Sequence, residues 1–233
     1  SLRYTYALET KHGPILYEVS NLRTLDTPWH FHEKEPPTID WVDQIPLNAV
    51  FWDIGANAGE FALYAAKRGI SNTIAFEPSP ATYANLCRNN EINGFGENLT
   101  VLCLGLLDTQ GTCEFHMRDS EAGHSCHSID EHFGGSAHIE TILTASIDFM
   151  VEEFGIPAPT HIKLDIDGAE ERVIAGGKRT LSSGQVASVY IEFENNEARF
   201  DAISRSMEDL GFTRTAVHRP AHIDYFFAEY RRD

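Results

Sequence analysis

Long apolar runs are missing from this chain of 233 residues. No stretch approaches the roughly 20 apolar residues of a membrane-spanning helix, so no membrane partner is expected. Positive charge is scarce. Eighteen Lys and Arg stand against 35 Asp and Glu, a formal net charge of −17. So acidic a chain repels a nucleic-acid backbone unless it gathers a local basic patch. Its densest basic pairs, Lys178-Arg179 and Arg231-Arg232, are too small for one, which excludes a nucleic-acid binder. Cysteine is scarce as well: Cys87, Cys103, Cys113 and Cys126 form no C-x-x-C pair and read as reduced packing thiols. No repeat, low-complexity tract or linker interrupts the chain, and Ser1-Leu2-Arg3-Tyr4 has no secretory pattern. The expectation is a soluble, cytoplasmic protein. Its 42% apolar content is ample for a packed core.

What is present is alternation. Leu2–Glu9 and Pro14–Ser20 flank Lys11-His12-Gly13 and read as a β-hairpin. Thr24–Pro37 reads as an irregular loop, Thr38–Gln44 as a short helix. From Asn48 onward, buried-strand patterns alternate with helical ones. The strands are expected at Asn48–Asp53, Asn72–Glu77, Leu99–Leu104, His161–Asp165 and Val186–Glu194. The helices are expected at Ala58–Arg68, Ser79–Asn93, Ala169–Leu181 and Glu197–Leu210. Phe212–Val217 and Ile223–Tyr230 close the chain as an antiparallel pair. Such alternation predicts an α/β fold with a mostly parallel sheet covered on both faces. The division expected is an N-terminal hairpin and loop extension over residues 1–47, then the main domain over residues 48–233. Ligands of these sheets sit at the carboxyl ends of the strands, so the informative residues are those just after each strand.

The first such turn is Asp53-x-Gly55-x-Asn57-x-Gly59. Asn57 stands where a dinucleotide fingerprint needs its second glycine to admit a pyrophosphate, which argues against NAD and FAD. No Lys follows Gly59, which excludes a P-loop. An acid at the strand end suits an ammonium group. Glu77, closing the next strand, stands where a carboxylate accepts two ribose hydroxyls. An ammonium clamp and a ribose clamp without a phosphate cradle describe S-adenosylmethionine (SAM), with S-adenosylhomocysteine (SAH) as product. The competing reading of both acids is strand-end capping, and Asn57 also suits a turn at positive φ.

Together, "FWDIGANAGEFALYAAKRG", "AFEPSPATYANLCRNNEING" and "HIKLDIDGAEERVIAGG" resemble the FkbM family of SAM-dependent methyltransferases, from about Val50 to Glu194. The resemblance implies a Rossmann-like, class I methyltransferase fold: a seven-stranded, mostly parallel sheet with helices on both faces. It implies O-methylation of a hydroxyl on a sugar, glycan or natural product. Pro78 joins the cofactor-binding set beside Glu77. The corner Gly105-Leu106-Leu107-Asp108 would face the adenine, with Leu106 against its ring, Asp108 accepting from its amino group and Asn93 a weaker partner. The family's usual Glu is Asp167 here.

Lys163 and Asp165, two apart on a strand, share one face, and a lysine so placed needs a partner. Asp165 ends its strand beside the expected methyl group, and Glu192 and Glu194 end the next. These acids suit a general base, or ligation of a divalent cation such as Mg²⁺ by Asp165 and Glu192. Asp167 and Glu170 also suit a helix N-terminus. The polar stretch Asp119–His138 reads as an acceptor-binding loop, with His124 or His127 as the base. Zinc at His124, Cys126, His127 and His132 lacks a completing cluster. His30 and His32 read as solvated. The rival readings are N- or C-methylation at the same SAM site, a non-catalytic scaffold of this fold, and an NAD enzyme.

Overall fold

The computed structural model describes residues 4–117, 122–123, 128–129, 138–220 and 224–232. The hairpin forms as the alternation predicts: β1 (Tyr4–Leu8) pairs antiparallel with β2 (Ile15–Val19). It docks on the main body through amide side chains. Asn89 accepts from the Glu18 amide at 2.7 Å, and Asn93 exchanges two bonds with the Leu16 backbone at 2.8 and 2.7 Å.

The segment expected to be an irregular loop is helical: α1 (Leu22–Trp29), α2 (Phe31–Lys34) and α3 (Pro36–Gln44). A reciprocal cap starts α1. The Asn21 side chain accepts from the Thr24 amide at 2.8 Å, and the Thr24 hydroxyl accepts from the Asn21 amide at 3.1 Å. The prolines that suggested a loop fall where helices tolerate them: Pro36 and Pro37 open α3, where a missing N–H costs nothing.

The alternating core follows. Its elements are β3 (Val50–Ile54), α4 (Glu60–Arg68), β4 (Asn72–Phe76), α5 (Pro80–Asn93) and β5 (Leu99–Leu102). Gly69 and Gly94 end the two helices in the left-handed region. Then come β6 (Gly105–Leu106), β7 (Gly111–Met117), β8 (Ser128–Ile129) and β9 (His138–Ala145), which form a separate four-stranded sheet in the order β6-β9-β7-β8. Next are α6 (Ile147–Glu152) and β10 (His161–Leu164). The helix expected over Ala169–Leu181 is two, α7 (Glu170–Gly176) and α8 (Lys178–Ser182). The break falls at Gly176-Gly177, where a Cβ on Gly176 would lie 2.1 Å from the Leu107 carbonyl oxygen. The remaining elements are β11 (Ser188–Glu194), α9 (Glu197–Asp209), β12 (Thr213–His218) and β13 (Tyr225–Arg231).

The main sheet has seven strands in the order β12-β13-β11-β10-β3-β4-β5. The run from β11 to β5 is parallel, and β13 is antiparallel to both its neighbours. The chain therefore steps outward from β3 to β5 and returns beside β3 with β10. That reversal is the switch point at which such sheets bind ligands.

Strand alternation splits the core. Trp52, Ile54, Ile162, Leu164, Val189 and Ile191 point to one face. Phe51 and Tyr190 point to the other, where they pack with Tyr17, Phe31, Trp41 and Val42 of the N-terminal segment and with α4. Asp53 and Lys163, partners in register, occupy this second face. The N-terminal segment thus covers the side of the sheet that carries the charged strand ends. Of the three tryptophans, Trp41 and Trp52 are buried, whereas Trp29 is 61% exposed at the end of α1, beside Tyr6.

Candidate active site

A cavity of about 650 Å³ opens at the carboxyl ends of β3, β4, β10 and β11, within the about 300–1,000 Å³ typical of small-molecule sites. The turn between β3 and α4 forms one half. The amides of Gly55 and Ala56 both donate to the Phe76 carbonyl, at 3.0 and 2.9 Å, folding the turn over β4. Gly55 has φ +82°, and a Cβ there would lie 1.8 Å from the Asp165 carbonyl oxygen. Only glycine lets the turn lie so close to the exit of β10. Among the described residues Asn57 is the non-glycine residue at positive φ, 49°. It also lines the cavity. Gly59 faces the core instead: a Cβ there would meet Leu86 at 2.2 Å.

Glu77 braces this half. Its Oε2 accepts from the Asn57 amide at 2.9 Å and its Oε1 from the Ser79 amide at 2.8 Å. Burial raises its carboxyl to about 7, against the pull of those two amides. Asp53 is 1% exposed, and neither oxygen has a partner in normal hydrogen-bond geometry. Burial raises it to about 6, opposed by Lys163 and, more weakly, by the Ala62 amide. Pro78 and Leu106 line the cavity beside Glu77. Asp108 lies outside the lining: it is exposed and pairs with Arg172 at 2.9 Å. Asn93 is likewise absent from the lining and engaged with Leu16.

The other half is charged. Lys163, 3% exposed, donates to Asp165 Oδ2 at 2.7 Å and lies 5.0 Å from the Phe61 ring centre. Burial works against its charge, but Asp165, Asp53, Glu35 and Glu192 outweigh that and hold it protonated well above the ordinary lysine range. Glu192 also lines the cavity. Burial, then Asp165 and Glu35, push its carboxyl well up. Asp167 and Glu194 reach the lining. Glu170 does not: it accepts from the Gly168 amide at 3.2 Å and pairs with Arg199 at 2.7 Å, as the helix-terminus reading predicts.

Sequence reasoning missed three residues here: Lys34, Glu35 and Glu60, all lining the cavity. Glu35 is 1% exposed, accepts from the Thr38 hydroxyl at 3.0 Å and faces Lys34 at 3.7 Å. Burial raises its carboxyl. Glu60 opens α4 directly after Gly59, and burial raises it to about 8. Its place in the turn was a signal within reach. For Glu35 the loop reading of its segment hid one. His30 and His32 are exposed and outside the lining, His32 bonded to the Glu9 carbonyl. His124, Cys126, His127 and His132 lie outside the described residues, although Gly123, from the same stretch, lines the cavity and donates to Thr82 at 3.3 Å. Among the described residues no group of three or more His, Cys, Asp or Glu is set to hold a metal ion.

The strand order, the phosphate-free glycine turn and the paired acids define a Rossmann-like, class I methyltransferase domain that takes SAM. The chain belongs to the FkbM family: the family model "Methyltransferase FkbM domain" matches residues 53–214. It is 31% identical over 134 residues to the hexuronic acid methyltransferase AglP of Haloferax volcanii, covering 58% of this chain and 52% of that protein. It is 26% identical over 201 residues to the methyltransferase sdnD of Sordaria araneosa (75% and 77% covered). It is 28% identical over 164 residues to the 2-O-methyltransferase NoeI of Sinorhizobium fredii (64% and 64%). Among solved structures, the methyltransferase FkbM of Methylobacillus flagellatus superposes with TM-score 0.57 at 18% identity, over 80% of this chain and 44% of that one. A putative tRNA methyltransferase of Streptococcus pneumoniae, solved with SAM, superposes with TM-score 0.53 at 17% identity (84% and 72%). The chain spans about half the length of AglP and less than half of the M. flagellatus protein. No helix among the described residues is long and apolar enough to cross a membrane.

Proposed function

We propose that this chain transfers the SAM methyl group to a hydroxyl oxygen of a sugar, glycan or natural product. The observation that carries the reading is that one cavity joins two halves. Its glycine-turn half, with Asp53, Asn57, Glu77, Pro78 and Leu106, suits SAM, and its other half sets Asp165, Lys163 and Glu192 at the adjoining strand ends. A relative named for 2-O-methylation supports a hydroxyl acceptor, and one named for a hexuronic acid supports a sugar. Methyl transfer from a sulfonium mainly requires that nucleophile, methyl carbon and sulfur be aligned. Lys163 holds one Asp165 oxygen, which leaves the other to orient or deprotonate the acceptor hydroxyl.

Were a Mg²⁺ ion to take part, Asp165 and Glu192 would be the residues to hold it, and it would supply the same orientation of the acceptor oxygen. Residues 1–47 act in this reading as an extension that supplies acceptor-side wall to the methyltransferase domain of residues 48–233, since Leu22, Arg23, Lys34 and Glu35 reach the cavity. The free thiols of Cys87, Cys103 and Cys113 suit a reducing, cytoplasmic setting, and the acidic charge disfavours a nucleic-acid acceptor.

The test is SAH release from SAM across a panel of hydroxylated acceptors, with the methylated atom assigned by NMR. A methyl ether product supports the reading. A product methylated on nitrogen or carbon, or calorimetry in which NAD binds and SAH does not, overturns it.

A further inference from the structure

We infer that Glu60 and Glu35 receive hydrogen-bond donors of the acceptor, and that the acceptor is an uncharged or ammonium-bearing polyol rather than a carboxylated or phosphorylated one. The inference rests on the O-methylation reading and narrows its substrate class, parting from the hexuronic acid for which one relative is named. The first observation is charge. Ten Asp and Glu line the cavity, against three Lys and Arg. Each of those cations is already engaged: Lys163 with Asp165 at 2.7 Å, Lys34 with Glu35 at 3.7 Å, and Arg23 with a partner of its own. Among the described residues the lining offers no cation waiting for an anionic group, so a carboxylate or phosphate entering here would be desolvated without a counter-ion.

The second observation is independent of the first. Glu60 is 7% exposed, lines the cavity, and its Oε1 has no hydrogen-bond partner. A buried carboxyl oxygen without a donor is costly, and the cavity is the side from which a donor arrives. Asp53, whose oxygens also lack a partner in normal hydrogen-bond geometry, sits in the strand that leads into the cofactor turn and suits the SAM ammonium. Phe61, the residue after Glu60, has its ring centre 5.0 Å from the Lys163 ammonium, which sets this end of α4 beside the charged half, so the donor to Glu60 is assigned to the acceptor. Glu35 comes from the N-terminal segment. Its Oε2 is held by Thr38 and its Oε1 faces Lys34, which fixes the carboxylate in place for a second donor. Hydroxyl and ammonium groups supply such donors; ionised acids supply none.

The experiment uses matched trios of methyl glycosides in the gluco, galacto and manno series: the parent sugar, its 2-amino analogue and its uronate. Binding to the SAH-saturated protein is measured by calorimetry, and methyl transfer from SAM is measured on the same compounds. The expected result is that a parent or amino sugar binds at least about tenfold more tightly than its uronate, a difference of about 1.4 kcal/mol. Glu60→Gln and Glu35→Gln should narrow that ratio while leaving SAH affinity close to wild type and the thermal melt cooperative. Tightest binding by a uronate, a ratio unchanged in both variants, or no binding by any trio overturns the inference. The two readings fail separately. Methyl transfer onto a uronate keeps O-methylation and removes this inference. Preferential binding of parent or amino sugar without transfer keeps this inference and removes O-methylation.

Discussion

Asp165 commits one carboxylate oxygen to Lys163 at 2.7 Å while its side chain stays 29% exposed at the cavity, so charge and position can be separated by substitution. Asp165→Asn should lower turnover about a hundredfold, the low end for a general base. It should leave SAH affinity within about tenfold, measured by SAH release and calorimetry. A loss reversed by added Mg²⁺ assigns the residue to metal ligation; undiminished turnover returns it to strand capping. Glu77 carries a different expectation, because it holds two buried backbone amides. Glu77→Ala should cost about 1–3 kcal/mol of stability for each amide left unpaired and weaken SAH by about 1.5–3 kcal/mol, read from denaturant unfolding and calorimetry. These residues were legible because each acid closes an apolar run that can only be a buried strand. Glu35 and Lys34 were not, because their part in the site depends on a fold-back of residues 22–44 that no local pattern records. The pairing of Asp108 was hidden for a similar reason: its partner, Arg172, stands sixty-four residues on.

At the scale of elements, the β3–α4 turn tolerates no side chain at its first glycine. Gly55→Ala should destabilise the protein by roughly 3 kcal/mol or more, from positive-φ strain and overlap with the Asp165 carbonyl together. It should also abolish SAH binding. Gly94→Ala, at φ +67° with nothing within 4 Å, should cost only about 1–2 kcal/mol. Equal losses in thermal melts of the two variants would refute the packing account. The N-terminal helices belong to the core as fully as the strands do. Trp41 stacks on Tyr190 with ring centres 5.1 Å apart and donates to Ser188 at 2.9 Å, so Trp41→Ala should cost about 3–5 kcal/mol. Strand and helix order was readable from periodicity throughout the main sheet. The helical character of residues 22–37 was not, because its Pro, His and Trp content masks a cap and a fold-back fixed by tertiary packing. The Gly176-Gly177 break escaped notice because it answers a distant carbonyl, not a local rule.

For the whole molecule, the concentration of buried acids makes stability depend on pH in an unusual direction. Burial raises Glu60 to about 8 and Glu77 and Glu170 to about 7, from an ordinary 4.5. Between pH 6.5 and 8 the folded state therefore holds protons that the unfolded chain has already lost, and stability falls as pH rises through this window. His161, lowered by burial to about 4, acts in the opposite sense only below about 6.5. The melting temperature should drop by several degrees from pH 6.5 to 8, at about 2–4 °C per kcal/mol for a domain of this size. A flat or rising profile across that interval would contradict the burial of these carboxyls. Glu60→Gln should flatten the profile, since it removes the group with the highest of the three values. The exposure of Trp29 has a practical consequence. Trp41 and Trp52 are sealed in the core, so quenching of indole fluorescence by aqueous acrylamide acts selectively on Trp29. That residue ends the helix whose first turns, at Leu22, Arg23 and Asp26, line the cavity. The protein thus carries its own optical probe at the end of a helix that borders the site. Protection of this one emitter on adding a sugar would report acceptor docking without any label or any turnover.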